Sequence, residues 1–256
     1  MLKYEAYHFG ENNLFAHYHP NSLNYPRHLH RSFEFIYVAD GNMEISINNR
    51  TFEVQKHGCI LVLPYEVHSI TTKEYSEANI CVFPPEYVKT FHNMIDGKTL
   101  ENPVFDLSIN AEALVLDKIF KDNLNILEMK ACLYLLCSEI MKNTVLLDSI
   151  KPDYELLHKI LNYTQENFTK DISLKTIATQ FGYSYTYLSK YLNNILGISF
   201  VDFINGNRIN YALYLLKNTQ TTITDIAYTC GYSSIRSFNR NFLKITEKTP
   251  KSYRNS

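Results

Sequence analysis

The sequence predicts a two-domain α+β protein, in which an N-terminal β-barrel with a helical hairpin precedes an all-α domain with two helix-turn-helix units. Three observations predict this fold. Short β-rich runs fill residues 1 to about 105, and the hydrophobic period becomes helical from residue 111. The segment IATQFGYS (residues 177–184) then returns 49 residues later as IAYTCGYS (residues 226–233). A length of 256 residues favours two domains, and we expect them to span residues 1–150 and 151–256.

The composition indicates a folded cytoplasmic protein. Hydrophobic residues make up 45% of the chain and aromatic residues 14%, which is enough for packed cores. No apolar run approaches the roughly 20 residues that cross a bilayer, and the N-terminus lacks a signal-peptide stretch. The five cysteines form no C-x-x-C pattern, so we expect them to be reduced core residues.

Charge divides unevenly between the two predicted domains. Residues 153–256 hold 12 basic and 7 acidic residues, whereas residues 1–152 hold 13 and 19. A basic C-terminal domain suits a module that meets phosphate groups.

The predicted strands of the first domain are short. They are FEFIYV (residues 33–38), MEISI (43–47), TFEV (51–54) and CILVL (59–63), separated by turn residues such as Asp40-Gly41 and His57-Gly58. Several short strands at this spacing predict a sandwich or a small barrel.

Two helices are predicted after the strands, over residues 111–123 and 128–147, and form a hairpin spanning about 110–148. Leu133, Leu136, Ile140 and Thr144 share one face of the second helix. The pair is expected to pack on the barrel and to form a homodimer interface, although packing alone would also explain the pattern. Residues 149–153, SIKPD, predict a linker, because Pro152 disfavours continuing the helix.

The first helix-turn-helix unit shows its boundaries in the sequence. Ser173 is expected to cap one helix, Gly182 to provide the turn, and Ser184 to cap the second helix. Leu188 and Leu192 lie four residues apart and face the core. The exposed face then carries Thr186, Ser189 and Lys190.

The second unit repeats this arrangement with a turn that is one residue longer. Thr222 or Thr224 is expected to cap its first helix, Gly231 to turn, and Ser233 or Ser234 to cap its second helix. The same spacing buries Phe238 and Phe242 and exposes Arg236, Asn239 and Arg240. Between the units, the central part of residues 198–219 predicts an amphipathic helix that fixes their separation, so that both second helices can enter successive major grooves.

These motifs resemble the AraC/XylS transcription regulators. The resemblance rests on the doubled I-A-x-x-x-G-Y-S, on RINYALYLL (residues 208–216), and on FNRNFLK (238–244) followed by TPKSYR (249–254). It implies that the base-facing positions are Thr186, Ser189, Lys190, Arg236, Ser237 and Arg240, with Asn239 added on geometry. Two positions depart from the family pattern: Glu247 stands where Gly is common, and Gly206 lies inside the linking helix.

A histidine-rich pattern in the first domain predicts a ligand site. HLHRSFEFIYVADG (residues 28–41) and GCILVLPYEVH (58–68) resemble the two cupin motifs, with Glu66 in place of Gly and His68 one residue early. Alternation along a strand directs His28, His30 and Glu34 together, and His68 from another strand completes a set of four. The set fits a catalytic metal centre, a metal- or substrate-binding sensor pocket, or a degenerate barrel with hydrogen-bonded polar groups. We expect a ligand-binding pocket with no resident metal and no cofactor.

The expected function is a ligand-responsive transcription regulator without enzymatic activity. A small polar metabolite such as a sugar would bind the barrel, two copies would dimerise, and the helical domain would bind double-stranded promoter DNA. The resemblance implies activation through contact with RNA polymerase. A cupin-type metalloenzyme with an appended helical domain is the alternative, and a nucleoid-type DNA binder without a ligand is a third class.

Overall fold

The strand-rich and helix-rich halves predicted from the sequence form two units in the computed structural model of the chain, which describes residues 2–4, 15–120, 125–149 and 153–255. One unit comprises residues 5–154, and the other comprises residues 155–256 together with residues 1–4. The predicted fold class, a β-rich N-terminal domain followed by a helical domain with two helix-turn-helix units, is confirmed. All five cysteines are buried and free. In the described parts, no helix combines the length and the apolar character needed to cross a bilayer.

The N-terminal unit is built around one long strand. Its strands are β2 (Ala16–Tyr18), β3 (Tyr25–Leu29), β4 (Phe33–Ile47), β5 (Arg50–Gln55), β6 (Gly58–Val62), β7 (His68–Thr71), β8 (Ser76–Phe83), β9 (Lys98–Leu100), β10 (Val104–Asp106) and β11 (Leu146–Asp148), whereas the short strand β1 (Lys3–Tyr4) belongs to the other unit. The first half of β4 lies in an antiparallel sheet of order β2-β8-β4-β6-β10. Its second half lies in a second antiparallel sheet of order β3-β7-β4-β5.

Asp40 and Gly41 lie within this continuous strand, so the prediction of two strands separated by a turn is wrong. The register between β4 and β8 shifts between Val38 and Asp40, which marks a β-bulge, and Gly41 has a φ of +71°. A Cβ atom on Gly41 would lie 2.2 Å from the carbonyl oxygen of Tyr75. The glycine therefore permits a bend that carries β4 from one sheet to the other.

The two faces of β4 are buried in different cores. Ile36 and Val38 pack between the sheets with Ile45, Ile60 and Ile80. The alternate residues of the strand, Phe33, Phe35 and Tyr37, pack in a second cluster with helices of the same unit. Both faces are thus covered, which explains the nearly continuous apolar run FEFIYV.

The helical hairpin forms, but its second helix is shorter than predicted. After a 3₁₀ turn (Pro85–Val88), the helices are α1 (Lys89–Met94), α2 (Ile109–Ile119) and α3 (Ile126–Asn143). Leu133, Leu136 and Ile140 are buried as predicted, whereas Thr144 lies beyond the helix in an extended conformation. The Thr144 hydroxyl accepts a hydrogen bond from the backbone N–H of Asn102 at 3.1 Å.

The chain after α3 forms strand β11, which pairs with β9. The helix predicted to continue to residue 147 is therefore wrong past Asn143, because these backbone groups bond to a strand instead. The predicted end of the first helix, residues 121–123, and most of the predicted linker, residues 150–152, lie outside the described residues.

The C-terminal unit is helical, and its caps follow the sequence. Its helices are α4 (Tyr154–Asn167), α5 (Leu174–Phe181), α6 (Tyr185–Leu196), α7 (Phe200–Asn218), α8 (Ile223–Thr229), α9 (Ile235–Thr246) and α10 (Pro250–Arg254), with Tyr154 itself assigned to the N-terminal unit. Ser173 and Thr176 form a reciprocal capping box at α5, and Ser184 caps α6. At the second unit the structure selects Thr222 and Ser234 from the predicted pairs of capping residues.

The helix predicted between the two units is present as α7, but it buries different faces at its two ends instead of one apolar face. Phe200, Phe203 and Ile204 are buried near its start, and Ile209 and Ala212 are buried further along. At 100° per residue, these two groups point in nearly opposite directions. α7 contacts α6 of the first helix-turn-helix unit and α8 and α9 of the second, so each unit packs on its own part of one helix.

Glu247 ends α9 in a conformation that favours glycine. Its φ is +59°, and its N–H donates to the carbonyl of Leu243 at 2.9 Å. A side chain in this left-handed region costs roughly 1–2 kcal/mol relative to glycine. We therefore expect Glu247→Gly to raise the free energy of unfolding by about 1 kcal/mol, measured from the urea midpoint of the helical circular dichroism signal.

The corresponding end of α6 supplies a reciprocal control. Gly197 caps α6 with a φ of +66° and the same type of hydrogen bond, to Asn193 at 3.0 Å. We expect Gly197→Glu to destabilise the protein by a similar amount. A neutral or destabilising Glu247→Gly would contradict the assignment of backbone strain to this position.

Candidate nucleic-acid interface and buried histidine cluster

The first helix-turn-helix unit is closed by a three-residue turn between α5 and α6. Gly182 has a φ of +77°, and its N–H bonds back to the end of α5. Leu188 and Leu192 are fully buried, which fixes the rotation of α6 about its axis. This rotation leaves Thr186 and Lys190 exposed and Ser189 partly exposed, as the sequence predicted. Their contact with DNA stays a prediction.

A ladder of stacked tyrosines lies beside these residues. Tyr183, Tyr187 and Tyr191 stack with nearly parallel rings, 5.5 and 5.9 Å apart. Their spacing of four residues was the available signal. Since Lys190 is the one basic residue of α6, the tyrosine ladder gives this helix a polar but largely uncharged surface.

The second unit has a longer turn, from Cys230 to Ser234, between α8 and α9. Phe238 and Phe242 are fully buried and orient α9. The exposed surface of α9 then carries Arg236, Asn239 and Arg240, with Ser237 partly buried at its edge. Arg236 lies at the start of α9 and Arg240 lies one turn further along. This is the part of a recognition helix that contacts base edges.

Arg208, the first residue of RINYALYLL, contacts and stabilises the turn between α8 and α9. It donates hydrogen bonds to the carbonyls of Phe168 at 2.7 Å and Lys170 at 2.8 Å, and its guanidinium lies over the ring of Tyr232. Burial lowers the pKa of Arg208. The segment that Arg208 holds includes Thr169, whose backbone would lie 2.5 Å from a Cβ on Gly231. Arg208 is therefore a positioning residue of the fold.

Lys244 connects α9 to the linking helix. Its ammonium group lies 2.7 Å from the carboxylate of Asp202 near the start of α7. This ion pair lowers the pKa of Asp202. Being largely exposed, the pair contributes little stability, but it holds one side of α9 against α7.

The four residues predicted to form the ligand site meet in the N-terminal unit. His28 lies on β3, Glu34 on β4, His68 on β7, and His30 on the connection from β3 to β4. Their ligand atoms all lie within 4.8 Å of one another, and all four residues are buried. Glu34 Oε2 lies 2.9 Å from His30 Nε2, 3.2 Å from His68 Nε2 and 4.0 Å from His28 Nε2. The four residues cluster as predicted, but from three strands and a connection rather than by alternation along one strand. The ligand of the cluster stays a prediction.

The outer nitrogen of each histidine is held by the backbone. His28 Nδ1 lies 2.9 Å from the carbonyl oxygen of Pro26, and His30 Nδ1 lies 2.9 Å from that of Ser32. His68 Nδ1 lies 2.9 Å from the carbonyl oxygen of Glu66. Because a carbonyl can only accept, each Nδ1 carries the hydrogen, and each Nε2 is directed at Glu34.

The carboxylate and the imidazoles shift each other's proton affinity. Burial opposes ionisation of Glu34, but hydrogen bonds from His30 and His68 outweigh it and hold its pKa well below the usual range. Burial likewise disfavours the charged form of His68, yet the bond to Glu34 raises its pKa. The pair therefore favours an ionised Glu34 carboxylate beside a protonated His68.

Glu66 stands where the second cupin motif has Gly, but this does not prevent His68 from joining the cluster. The Glu66 carboxylate accepts a hydrogen bond from the backbone N–H of Leu63 at 3.0 Å, which closes the turn before β7. Burial raises the pKa of Glu66 to about 7. His17 on β2 and His19, just after β2, lie apart from the cluster and contact each other and Phe120.

Two family models match the chain. Residues 14–95 match an AraC-like ligand binding domain, and residues 177–256 match a helix-turn-helix domain. Together they match well over half of the chain, including the histidine cluster, α6 and α9.

Curated relatives share the same description. An uncharacterized HTH-type transcriptional regulator of Staphylococcus aureus is 28% identical over 211 residues, which is 81% of this chain and 27% of that protein. The regulator YijO of Escherichia coli is 30% identical over 99 residues, or 39% of this chain and 35% of that protein. The chain thus spans about a quarter of the length of its staphylococcal relative.

A solved structure extends the likeness across both units. ToxT from Vibrio cholerae matches with a TM-score of 0.60 and 17% identity, covering 94% of this chain and 98% of that one. At this identity the match concerns the fold alone. With both family models in this order, the chain has an AraC-like ligand-binding domain followed by a helix-turn-helix domain, which is the domain order of the AraC/XylS regulators that its motifs resemble.

Proposed function

We propose that the protein is a sequence-specific regulator of transcription that binds promoter DNA through α6 and α9. The observation that carries this proposal is that α6 and α9 both pack against α7 and that each of them exposes a polar face. A helix packed in this way presents a rigid surface to a major groove. Sequence specificity then comes from side chains that reach base edges. The DNA partner implies a cytoplasmic protein.

The two helices are proposed to contribute differently. Arg236 and Arg240 on α9 offer forked donors that match guanine and phosphate. On α6, Lys190 contributes a single charge, while Thr186 and the tyrosine ladder offer hydroxyl groups and apolar contact. We therefore expect α9 to carry most of the base discrimination and most of the salt dependence.

The N-terminal unit is proposed to bind the effector, a small polar metabolite, at the cluster of His28, His30, Glu34 and His68. The buried polar groups support this choice, since such groups suit a ligand with matching hydroxyl or carboxyl groups. A structure of ToxT is described as bound to an unsaturated fatty acid. We nevertheless propose a polar effector here, with sugars as the first class to test, because of the polar cluster.

Regulation is proposed to act through a homodimer. Leu114 on α2 and Leu127 and Tyr134 on α3 are exposed apolar side chains on the hairpin, which supports these helices as the dimer interface. The effector must bind one arrangement of the regulator more tightly than another, because a ligand with equal affinity for both arrangements does not change their populations. Activation would involve contact between the bound regulator and RNA polymerase.

In vitro selection with the full chain and random double-stranded DNA tests the proposal. We expect enrichment of a common sequence by the wild type and its loss in the double variant Arg236→Ala/Arg240→Ala, with unchanged helical circular dichroism. Salt-sensitive binding without enrichment would favour a nucleoid-type DNA binder.

The histidine cluster keeps a second candidate, a cupin-type metalloenzyme with an appended helical domain. Three histidines and one carboxylate are a ligand set for catalytic metals. Metal-dependent turnover together with the absence of specific DNA binding would favour it over the regulator.

A further inference from the structure

The rotation of α6 places a tyrosine nearer the centre of its exposed face than one of the residues that the family resemblance assigns to base contact. The inward direction of the helix is set by its three fully buried leucines, Leu188, Leu192 and Leu196. At 100° per residue, Lys190 lies about 20° and Tyr187 about 40° from the opposite, outward direction, whereas Ser189 lies about 120° from it. Tyr187 is 46% exposed, and Ser189 is only partly exposed. Tyr187 is therefore better placed than Ser189 to meet a base.

The ring of Tyr187 is held between two other rings. Those of Tyr183 and Tyr191 lie on either side of it, with centroids 5.5 and 5.9 Å away and interplanar angles of 14° and 13°. The backbone N–H of Tyr183 donates to the carbonyl of Ala178 at 2.9 Å, which anchors this end of the ladder to α5. A side chain that is already fixed loses little conformational freedom on binding, and tyrosine offers a large contact area with few rotatable bonds.

The surface around Tyr187 favours an apolar contact over an ionic one. The sequence of α6 contains no acidic residue, and Lys190 is its one basic residue. In the major groove, thymine alone among the four bases presents a 5-methyl group, which apolar side chains contact. Arginines such as those on α9 suit the acceptors of guanine instead. The exposed faces of α6 and α9 thus match different bases.

We propose that Tyr187 is a specificity-determining residue of α6 that contacts the 5-methyl group of a thymine in the major groove. This role rests on the proposed binding of promoter DNA and is additional to the positions that the family resemblance implies. The ring of Tyr187 makes the apolar contact, and Tyr183 and Tyr191 are positioning residues that fix the orientation of that ring. α6 therefore selects an A·T base pair.

Replacing thymine by deoxyuridine removes only the 5-methyl group, so it tests this contact directly. The full chain is bound to a DNA site from in vitro selection, and each thymine is replaced in turn in the half-site that Arg240→Ala affects less. We expect one replacement to weaken wild-type binding about 4-fold, which corresponds to the loss of one buried methyl group. The same replacement should have no effect on Tyr187→Ala, whereas Tyr187→Phe keeps the ring and should show the same loss as the wild type.

Tyr214→Ala is the matched control, because Tyr214 is 61% exposed and stacks on Tyr211 in α7, outside the recognition helices. The effect of deoxyuridine should be unchanged in this variant. The wild-type measurement needs no variant, so the proposal stays testable if Tyr187→Ala fails to fold.

Three results would overturn the proposal: a selected half-site without thymine, wild-type binding that no replacement weakens, or an unchanged effect of deoxyuridine in Tyr187→Ala. A loss of affinity in Tyr187→Phe that is equal on all sequences would also overturn it, because the Tyr187 hydroxyl would then contact phosphate. Failure to select any DNA site would contradict the proposed regulator itself, so the two failures are distinguishable.

Discussion

Replacing Gly231 by alanine is expected to destabilise the second helix-turn-helix unit by about 2–5 kcal/mol, whereas the same change at Gly182 costs only about 1–2 kcal/mol. Both glycines occupy the same place in the repeated I-A-x-x-x-G-Y-S. Both have a positive φ, +77° at Gly182 and +84° at Gly231. The difference lies in their surroundings. A Cβ on Gly231 would lie 2.5 Å from the carbonyl oxygen of Thr169, while nothing lies within 4 Å of one on Gly182.

Urea unfolding of the two variants, followed by helical circular dichroism, measures this difference. Gly182→Ala is the matched control, because it carries the same backbone cost without the collision. Since Arg208 holds the colliding segment, Arg208→Ala should relieve part of the penalty in the double variant with Gly231→Ala. Equal losses for the two glycine variants would contradict the close approach of the Thr169 backbone.

Arg240→Ala is expected to weaken binding to a selected DNA site by about 1–3 kcal/mol, or roughly 5- to 150-fold, and to relax preference at one base pair. Arg240 is exposed on α9 one helical turn after Arg236, and Phe238 and Phe242 fix this orientation from the buried side. A forked guanidinium that bonds to one base loses both hydrogen bonds on truncation.

Binding to the selected site and to single-base variants at constant salt measures this effect. Lys217→Ala is the charge-matched control, since it removes an exposed positive charge from α7. We expect it to change affinity little and to leave sequence preference unchanged. A uniform loss across all sequences for Arg240→Ala would instead identify Arg240 as a phosphate contact.

The helix-turn-helix half was predictable because its signals are local. Ser173, Ser184 and Gly182 each act within one turn of the chain, and the structure places them as caps and turn as predicted. The choice between Thr222 and Thr224, or between Ser233 and Ser234, was open because either hydroxyl could meet a nearby N–H. The structure uses Thr222 and Ser234.

The errors arose where distant contacts decide the local structure. Asp40-Gly41 has the composition of a turn, but pairing with β8 and β5 on either side keeps β4 continuous. Residues after Asn143 have a helical pattern, but β9 pairs with β11. α7 is buried at opposite faces because two different units pack on it, which no single periodicity can express.

The candidate sites likewise combine features that local sequence patterns predict with features that depend on distant contacts. His28, His30 and Glu34 meet as predicted, but they come from β3, the β3–β4 connection and β4 rather than from alternation along one strand. His68 joins them across the β3–β7 pair despite its shifted position. The direction of each Nδ1 depends on carbonyls that follow from the fold, so the chemistry of the cluster could not be derived from spacing. The four-residue spacing of the tyrosines indicates that they share one face of a helix. Their position beside Thr186 and Lys190 depends on the rotation of α6, which the structure provides.

Hydroxyl-radical footprinting of the full chain on a selected DNA fragment tests most directly whether both helices bind DNA. We predict two protected segments on one face of the duplex, centred about 10 base pairs apart, as expected for recognition helices in successive major grooves. Arg240→Ala should weaken protection of one segment more than the other. A single protected segment in the wild type, or two on opposite faces of the duplex, would contradict two recognition helices carried by α7.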